Sequence, residues 1–322
     1  MRQIDKENKK SLHKQPVFVA ILMACFGDVI LSNSLFQNIK ALYPDAKTVF
    51  IVDKPWYEAA KYQKDVDEVY LFDKRGENNG IGGILKFIRN FPYKKIDYIF
   101  KIYDNFRVDI ISFLFHPKKI IGKKYYNYDI KVQERHANLL KAITDREIKN
   151  FPITYLSNNE IPTKFENIFQ KDKKYVALCT TTKQDEKDMP IDTAAALVNI
   201  LNENGYEVIY TGSGAKAKDY AQKLKDFGCK FINLTNQTTI FELSHVLRNC
   251  TATICADTGT MHFSYANKVP TVCVFYKSEN LKEWAPRKEL YSFTTILSKP
   301  SEAQEIYDAF TKLTKELTEN KG

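Results

Sequence analysis

The chain has 322 residues, and 44% of them are hydrophobic, with 21 Phe and 19 Tyr. That is about twice a usual domain of roughly 150 residues and excludes a disordered body, and the longest apolar run, Val17–Phe26, is about ten residues where a spanning helix needs roughly 20. Lys and Arg outnumber Asp and Glu by 48 to 39, and the net charge of +9 fits an acidic partner, whether nucleic acid, anionic lipid or a phosphorylated substrate.

In chain order, residues 1–15 are polar and charged and read as a disordered basic tail. Val17–Cys25 reads as a strand. Its basic leader (Lys9, Lys10, Lys14) imitates a signal peptide, but no small-residue cleavage pattern follows, so a cytoplasmic protein is expected. Helix Val29–Leu42 comes next, then strand Thr48–Val52, helix Trp56–Gln63, strand Val69–Phe72, helix Ile81–Asn90 and strand Tyr98–Ile102. The alternation lapses at Pro152, Ser157-Asn158-Asn159, Pro162 and Lys171–Lys174. It resumes with strand Tyr175–Cys179, helix Thr193–Glu203, strand Glu207–Tyr210 and helix Ala217–Phe227. Strand Phe231–Asn233, helix Ile240–Arg248, strands Ala252–Cys255 and Thr271–Phe275, and a terminal helix Ser301–Leu317 complete it. The rhythm predicts an α/β chain of two Rossmann-like, parallel-sheet domains facing a cleft. Their expected bounds are 16–155 and 175–322, with a linker over 156–174.

Several functions are excluded by what is missing. Neither half carries G-x-G-x-x-G after its first strand, which argues against an NAD or FAD enzyme, and no nucleophile elbow supports a hydrolase. No RNP motif, zinc finger or helix-turn-helix occurs, so a nucleic-acid partner is not expected. The six cysteines (Cys25, Cys179, Cys229, Cys250, Cys255 and Cys273) form no Cys-x-x-Cys pair or zinc spacing and read as buried free thiols. Neither metal nor cofactor is expected. Asp65-Val66-Asp67 imitates a metal-binding Asp-x-Asp but precedes a strand and reads as a surface turn, as does Gly80-Ile81-Gly82-Gly83.

Candidate chemistry gathers where strands end. Asp28 lies where the first strand gives way to the first helix, and is either a helix cap or a general base facing the cleft. Asp257-Thr258-Gly259-Thr260-Met261-His262 follows a strand and opens a short helix, whose amides and dipole suit a diphosphate, or is a capped helix with a core histidine. Thr180-Thr181-Thr182-Lys183, with Lys187 beyond, offers hydroxyls and ammonium groups for phosphate oxygens or is a solvated loop. Gly212, in Thr211-Gly212-Ser213-Gly214, ends the next strand and allows a nucleotide close approach.

With these residues in place, the chain resembles glycosyltransferase family 9, the heptosyltransferases, from Val17 to about Pro286. The resemblance rests on Gly27-Asp28, Tyr43-Pro44-Asp45-Ala46, Lys95-Ile96-Asp97-Tyr98, Asn105-Phe106-Arg107 and Ile121-Gly122 in the first half. In the second half it rests on Asp257-Thr258-Gly259-x-x-His262 with Ala266 and Pro270 beyond. It implies a GT-B fold and an inverting, metal-independent transfer of heptose from ADP-heptose to the Kdo-bearing inner core of lipopolysaccharide or lipooligosaccharide. By the same resemblance Asp28 is the general base, and Asp257, Thr258, Gly259 and His262 contact the donor. Thr181, Thr182 and Lys187 grip its diphosphate, and Arg107 lies near the acceptor.

An anionic glycolipid acceptor implies peripheral contact with the inner face of a bacterial membrane, for which Lys118, Lys119, Lys123 and Lys124 form either a contact patch or a solvated surface. The chain departs from the family at Asp188-Met189-Pro190, where many members have tryptophan before the proline. It also lacks an acidic residue soon after Gly212, with Asp219 a displaced candidate. The alternatives are a GT-B transferase using another nucleotide sugar for a surface glycan, and a non-catalytic nucleotide- or anion-binding relative.

Overall fold

The computed structural model describes residues 15–156, 162–300 and 302–319, so the tail expected over 1–15 lies outside the described residues except for Gln15, and part of the expected linker is outside too. Strands β1 (Val17–Leu22), β2 (Lys47–Asp53), β3 (Glu68–Phe72), β4 (Tyr98–Lys101) and β5 (Lys119–Ile121) form one parallel sheet in the order β3-β2-β1-β4-β5. A second parallel sheet holds β6 (Lys174–Cys179), β7 (Tyr206–Tyr210), β8 (Ile232–Asn233), β9 (Ala252–Ala256), β10 (Thr271–Phe275) and β11 (Thr294–Ser298). Its order is β11-β10-β9-β6-β7-β8, that of a dinucleotide-binding Rossmann sheet. Central strands are short apolar runs buried along both faces, because helices cover each sheet on both sides.

Helices α1 (Phe26–Leu31), α2 (Asn33–Leu42), α3 (Tyr57–Lys61), α4 (Gly80–Asn90), α5 (Phe106–Leu114) and α6 (Val132–Asn138) belong to the first half. The second half has α7 (Ile191–Glu203), α8 (Gly214–Asp226), α9 (Ile240–Arg248), α10 (Gly259–Ala266), α11 (Leu281–Trp284) and α12 (Ala303–Glu319). Alternate residues of β1 feed different layers. Val19 and Ile21 pack with Ile84 of α4 and with Val108 and Ile111 of α5, while Phe18, Ala20 and Leu22 join a core that runs through Tyr155 into the second half.

Several elements differ from expectation for physical reasons. The helix expected over Val29–Leu42 is two, starting earlier and breaking at Ser32, whose hydroxyl donates to the Val29 carbonyl at 2.7 Å. Gly80, with φ of 65°, begins α4 instead of leaving the glycine run as a turn. The sequence reading also has no counterpart for α5, β5, α6 or β11. The helix α5 is apolar on nearly every side, so no 3.6-residue period marks it. The helix α6, Val-Gln-Glu-Arg-His-Ala-Asn, is polar and yet buried from Val132 to Ala137. Three of its side chains are met by the other half: Gln133 accepts from the Tyr291 hydroxyl at 2.9 Å, Arg135 pairs with Glu283 at 3.1 Å, and Glu134 pairs with Arg287.

The halves meet most closely where α1 crosses α10. A Cβ on Gly259 would lie 2.6 Å from Phe26 Cδ1 and 2.9 Å from the Gly27 nitrogen, and one on Gly27 would lie 3.0 Å from His262 Cδ2. Only glycines let the two helix starts touch. The Tyr155 N–H donating to the Ala266 carbonyl at 3.1 Å, and the Phe241 N–H donating to Glu58 at 3.0 Å, fasten the seam further along.

Candidate active site

A cavity of about 750 Å³ lies between the halves, at the carboxyl ends of both sheets. In the first sheet it is lined after β1 and β4, the strands between which the order reverses; in the second it is lined after β6, β7 and β9. Helices that leave adjacent strands toward opposite faces open a crevice there, which is where open α/β sheets hold ligands.

The first-half wall is built for proton chemistry. Asp28 is not the helix cap: Cys25 holds that position, and Asp28 sits inside the first turn of α1 with its side chain on the cavity. Burial raises its carboxyl to about 6, although Lys183 and Arg135 pull the other way. His136 Nε2 stands 4.0 Å from Asp28 Oδ1, but burial, reinforced by Arg135, pushes this imidazole down to about 3, so it is neutral and forms no ion pair. Trp56, Tyr103, Tyr126 and Tyr128 add aromatic surface, with Trp56 stacked on Phe26 at 5.6 Å.

The second-half wall is built for negative charge. Thr258 caps α10, so the first amides of that helix face the cavity beside Gly259 and Thr260. Asp257 accepts from Lys187 at 2.9 Å and from Asn280 at 2.6 Å, which holds the ammonium group over the same space. Thr181, Thr182 and Lys183 line it too, and Lys183 reaches across to the Cys25 sulfur at 3.3 Å. Lys216 of α8 bonds Asp185 at 2.5 Å and Asp188 at 2.6 Å, fastening the loop after β6. Gly212 is packed so that a Cβ would lie 2.7 Å from the Ala217 Cβ. His262 lies at the junction of the halves, its Nδ1 2.6 Å from the Tyr265 hydroxyl, and burial pushes it down to about 4.

The structure thus brings Asp28, Thr181, Thr182, Lys187, Gly212, Asp257, Thr258, Gly259 and His262 to one cavity. Arg107, on α5, is not among the lining residues and is half-buried. Asp219 is exposed on α8 and also lies outside the lining. Asp67 is engaged at the sheet edge by Lys40 at 2.7 Å. Of the four lysines read as a patch, Lys118 pairs with Asp97, Lys119 donates to the Ala142 carbonyl at 2.5 Å, Lys124 lies over the Tyr125 ring at 5.0 Å, and Lys123 lines the cavity. Five cysteines are buried free thiols; Cys25 is exposed at the cleft.

Residues that sequence reasoning did not assign include Arg135, His136, Lys216 and both tryptophans of the chain, Trp56 and Trp284. The two tryptophans were the available signal, since so rare a residue seldom sits by chance on one cavity.

Two Rossmann-like sheets sharing one cation-lined cavity at their switch points define a GT-B-type glycosyltransferase. The sequence model of glycosyltransferase family 9 (heptosyltransferase) matches residues 111–312, and the chain belongs to that family. It is 22% identical over 294 residues to lipopolysaccharide heptosyltransferase 3 of Escherichia coli K12, covering 83% of this chain and 84% of the relative. Its fold is shared with a family 9 glycosyltransferase from Veillonella parvula (TM-score 0.82, 16% identity, 95% of this chain and 100% of that one). It is shared as well with Escherichia coli ADP-heptose lps heptosyltransferase II (TM-score 0.74, 15% identity, 94% and 100%) and with Escherichia coli heptosyltransferase WaaC with ADP (TM-score 0.70, 13% identity, 92% and 99%).

Proposed function

We propose that this protein transfers heptose from ADP-heptose to the Kdo-bearing inner core of lipopolysaccharide or lipooligosaccharide, with inversion and without a metal ion. The first half takes the anionic glycolipid acceptor and the second half the donor. The observation that carries the reading is Asp28, a half-buried carboxyl raised to about 6 that faces the start of α10 across one cavity. Relatives named for lipopolysaccharide heptosyl transfer, and a neighbouring fold solved with ADP, support the choice of donor and acceptor.

Asp28 takes the proton of the acceptor hydroxyl, and the freed oxygen attacks the anomeric carbon from the face opposite the diphosphate. The bond from that carbon to the diphosphate oxygen breaks, and its electron pair leaves with ADP. A carboxylate near pKa 6 is basic enough to share that proton and is mostly ionised at neutral pH. Negative charge grows on the leaving oxygens. Lys187 and Lys183, the hydroxyls of Thr181 and Thr182 and the amides opening α10 are already in place to meet it. Asp257 acts on the donor through Lys187, whose ammonium it holds. Among the described residues no helix is long and apolar enough to cross a membrane, so a lipid-borne acceptor is met from the side.

Thermal stabilisation by ADP, GDP, UDP and CDP, each in excess EDTA, tests the donor. ADP at a hundredfold excess over its Kd should add about 2.7 kcal/mol. A shift with UDP or GDP in its place discards heptose, and a shift that EDTA removes discards metal independence.

A further inference from the structure

Among the described residues, the three most exposed large apolar side chains are Phe113 at 68%, Phe106 at 66% and Ile81 at 63%, and Leu85 is 51% exposed. All four lie on α4 and α5, which pack side by side over the outer face of the first sheet through Ile84, Val108 and Ile111. Ile81, Leu85 and Arg89 recur every four residues, so they form one stripe on α4, while Phe106 and Phe113 share a face of α5 two turns apart, about 10 Å. An isolated exposed apolar residue is ordinary; four on adjoining helices make a patch that calls for a partner.

Charge says which partner. The carboxylates beside the patch are paired: Asp109 and Asp104 share Lys101 at 2.5 and 3.0 Å, and Glu77 meets Lys86 at 2.6 Å. Arg89 and Arg107 have no acidic partner among the described residues, and Lys123 and Lys124 are exposed nearby in the chain. The patch is therefore mainly apolar with a net positive surround, and Asp109 between the two phenylalanines is held by Lys101. It also adjoins the cavity, since α5 starts immediately after Tyr103, Asp104 and its cap Asn105, and Tyr103 both lines the cavity and is 54% exposed.

We infer that the outward faces of α4 and α5 dock the protein on a bilayer that carries anionic headgroups, with Phe106, Phe113, Ile81 and Leu85 entering the interface and Arg89 and Arg107 meeting lipid phosphates. Such a face binds by apolar burial plus attraction to anionic lipid. A second copy of this chain fits worse, because a two-fold contact sets the same arginines against each other. The inference deepens the proposed function, since a glycolipid acceptor is met at a bilayer surface and the docked face brings the cavity mouth to it.

The test is flotation of the full chain with vesicles of phosphatidylcholine alone and with added phosphatidylglycerol. It compares the parent with Phe106→Ser/Phe113→Ser and with Arg89→Gln/Arg107→Gln. All four positions lack a tight packing role, and matched melting curves verify folding. The parent should bind the anionic vesicles in a salt-sensitive way, and each double variant should bind about tenfold less or weaker still. Sugar transfer to a short, water-soluble acceptor should be unchanged in Phe106→Ser/Phe113→Ser. Equal vesicle binding by parent and variants overturns the inference. A variant whose mass falls in lipid-free sedimentation does so as well, because the patch is then a contact between copies. Failure of the donor reading shows separately, as absent nucleotide stabilisation in a protein that still floats with vesicles.

Discussion

Asp28 and Asp257 stand on the two sides of the cleft, Asp28 in the first turn of the helix after β1 and Asp257 just before the helix after β9, and those two helix starts touch. Their surroundings differ. Asp257 is answered by Lys187 at 2.9 Å and Asn280 at 2.6 Å, so its charge positions a lysine. Asp28 has the neutral His136 at 4.0 Å, and burial outweighs the pull of Lys183 and Arg135 and lifts it to about 6. One residue type at two neighbouring helix starts thus holds a cation at Asp257 and proton affinity at Asp28. The partner brought in by the rest of the chain decides between them.

That contrast is open to direct attack. Asp28→Asn removes the proton acceptor but little of the anion-binding wall. Its turnover should fall by about 10²–10⁴-fold while nucleotide stabilisation persists; turnover near the parent value would end its role as base. Lys187→Met works on the other aspartate. It leaves Asp257 buried without its cation, which should cost about 3 kcal/mol in chemical denaturation and weaken nucleotide binding together. Loss of stability alone would make the pair structural only.

Gly259→Ala strikes the contact that sets the two aspartates face to face. Its new Cβ meets Phe26 at 2.6 Å, and a loss of about 1–3 kcal/mol with reduced turnover is expected. An unchanged melting point would mean that the helix starts can separate freely.

The pH profile gives the smallest effect and the most discriminating one. With Asp28 at about 6, kcat/KM should rise with pH through that value and level off above it, and Asp28→Asn should lack that limb. Stability has the opposite sign. A carboxyl raised in the folded state binds its proton more tightly there than in the unfolded chain, where it titrates near 3.9. Its contribution is fully present below about 4 and is lost as pH rises through about 6. Asp28→Asn should therefore be more stable than the parent at pH 7, by about 1–3 kcal/mol, and lose that advantage near pH 4.

Much of the fold was legible. Short apolar runs such as Val17–Leu22 and Thr271–Phe275 identify themselves as buried parallel strands, and α7, α8, α9 and α12 show an apolar stripe. The elements that escaped are those whose pattern misleads: α5, apolar nearly all round, and α6, polar but buried because Glu283, Arg287 and Tyr291 come to meet it. In the site, Asp28 and the run Asp257–His262 stood out because they follow strands. Arg107, expected near the acceptor, is not among the residues that line the cavity, since a position on α5 says nothing about which side of the helix faces the cleft.

By itself the sequence determined the alternation of strands and helices, the two-domain class, the family, and which strand ends carry chemistry. These depend on local periodicity and on motifs a few residues long. Only the tertiary structure decided that Lys187 binds Asp257, that Lys183 reaches Cys25 across the cleft, that Arg135 and His136 stand by Asp28, and that Phe106 and Phe113 are left bare. Those outcomes are set by desolvation and by contacts between residues tens to more than a hundred positions apart. Burial and charge at a site sum over everything that folding gathers there, which no local pattern records.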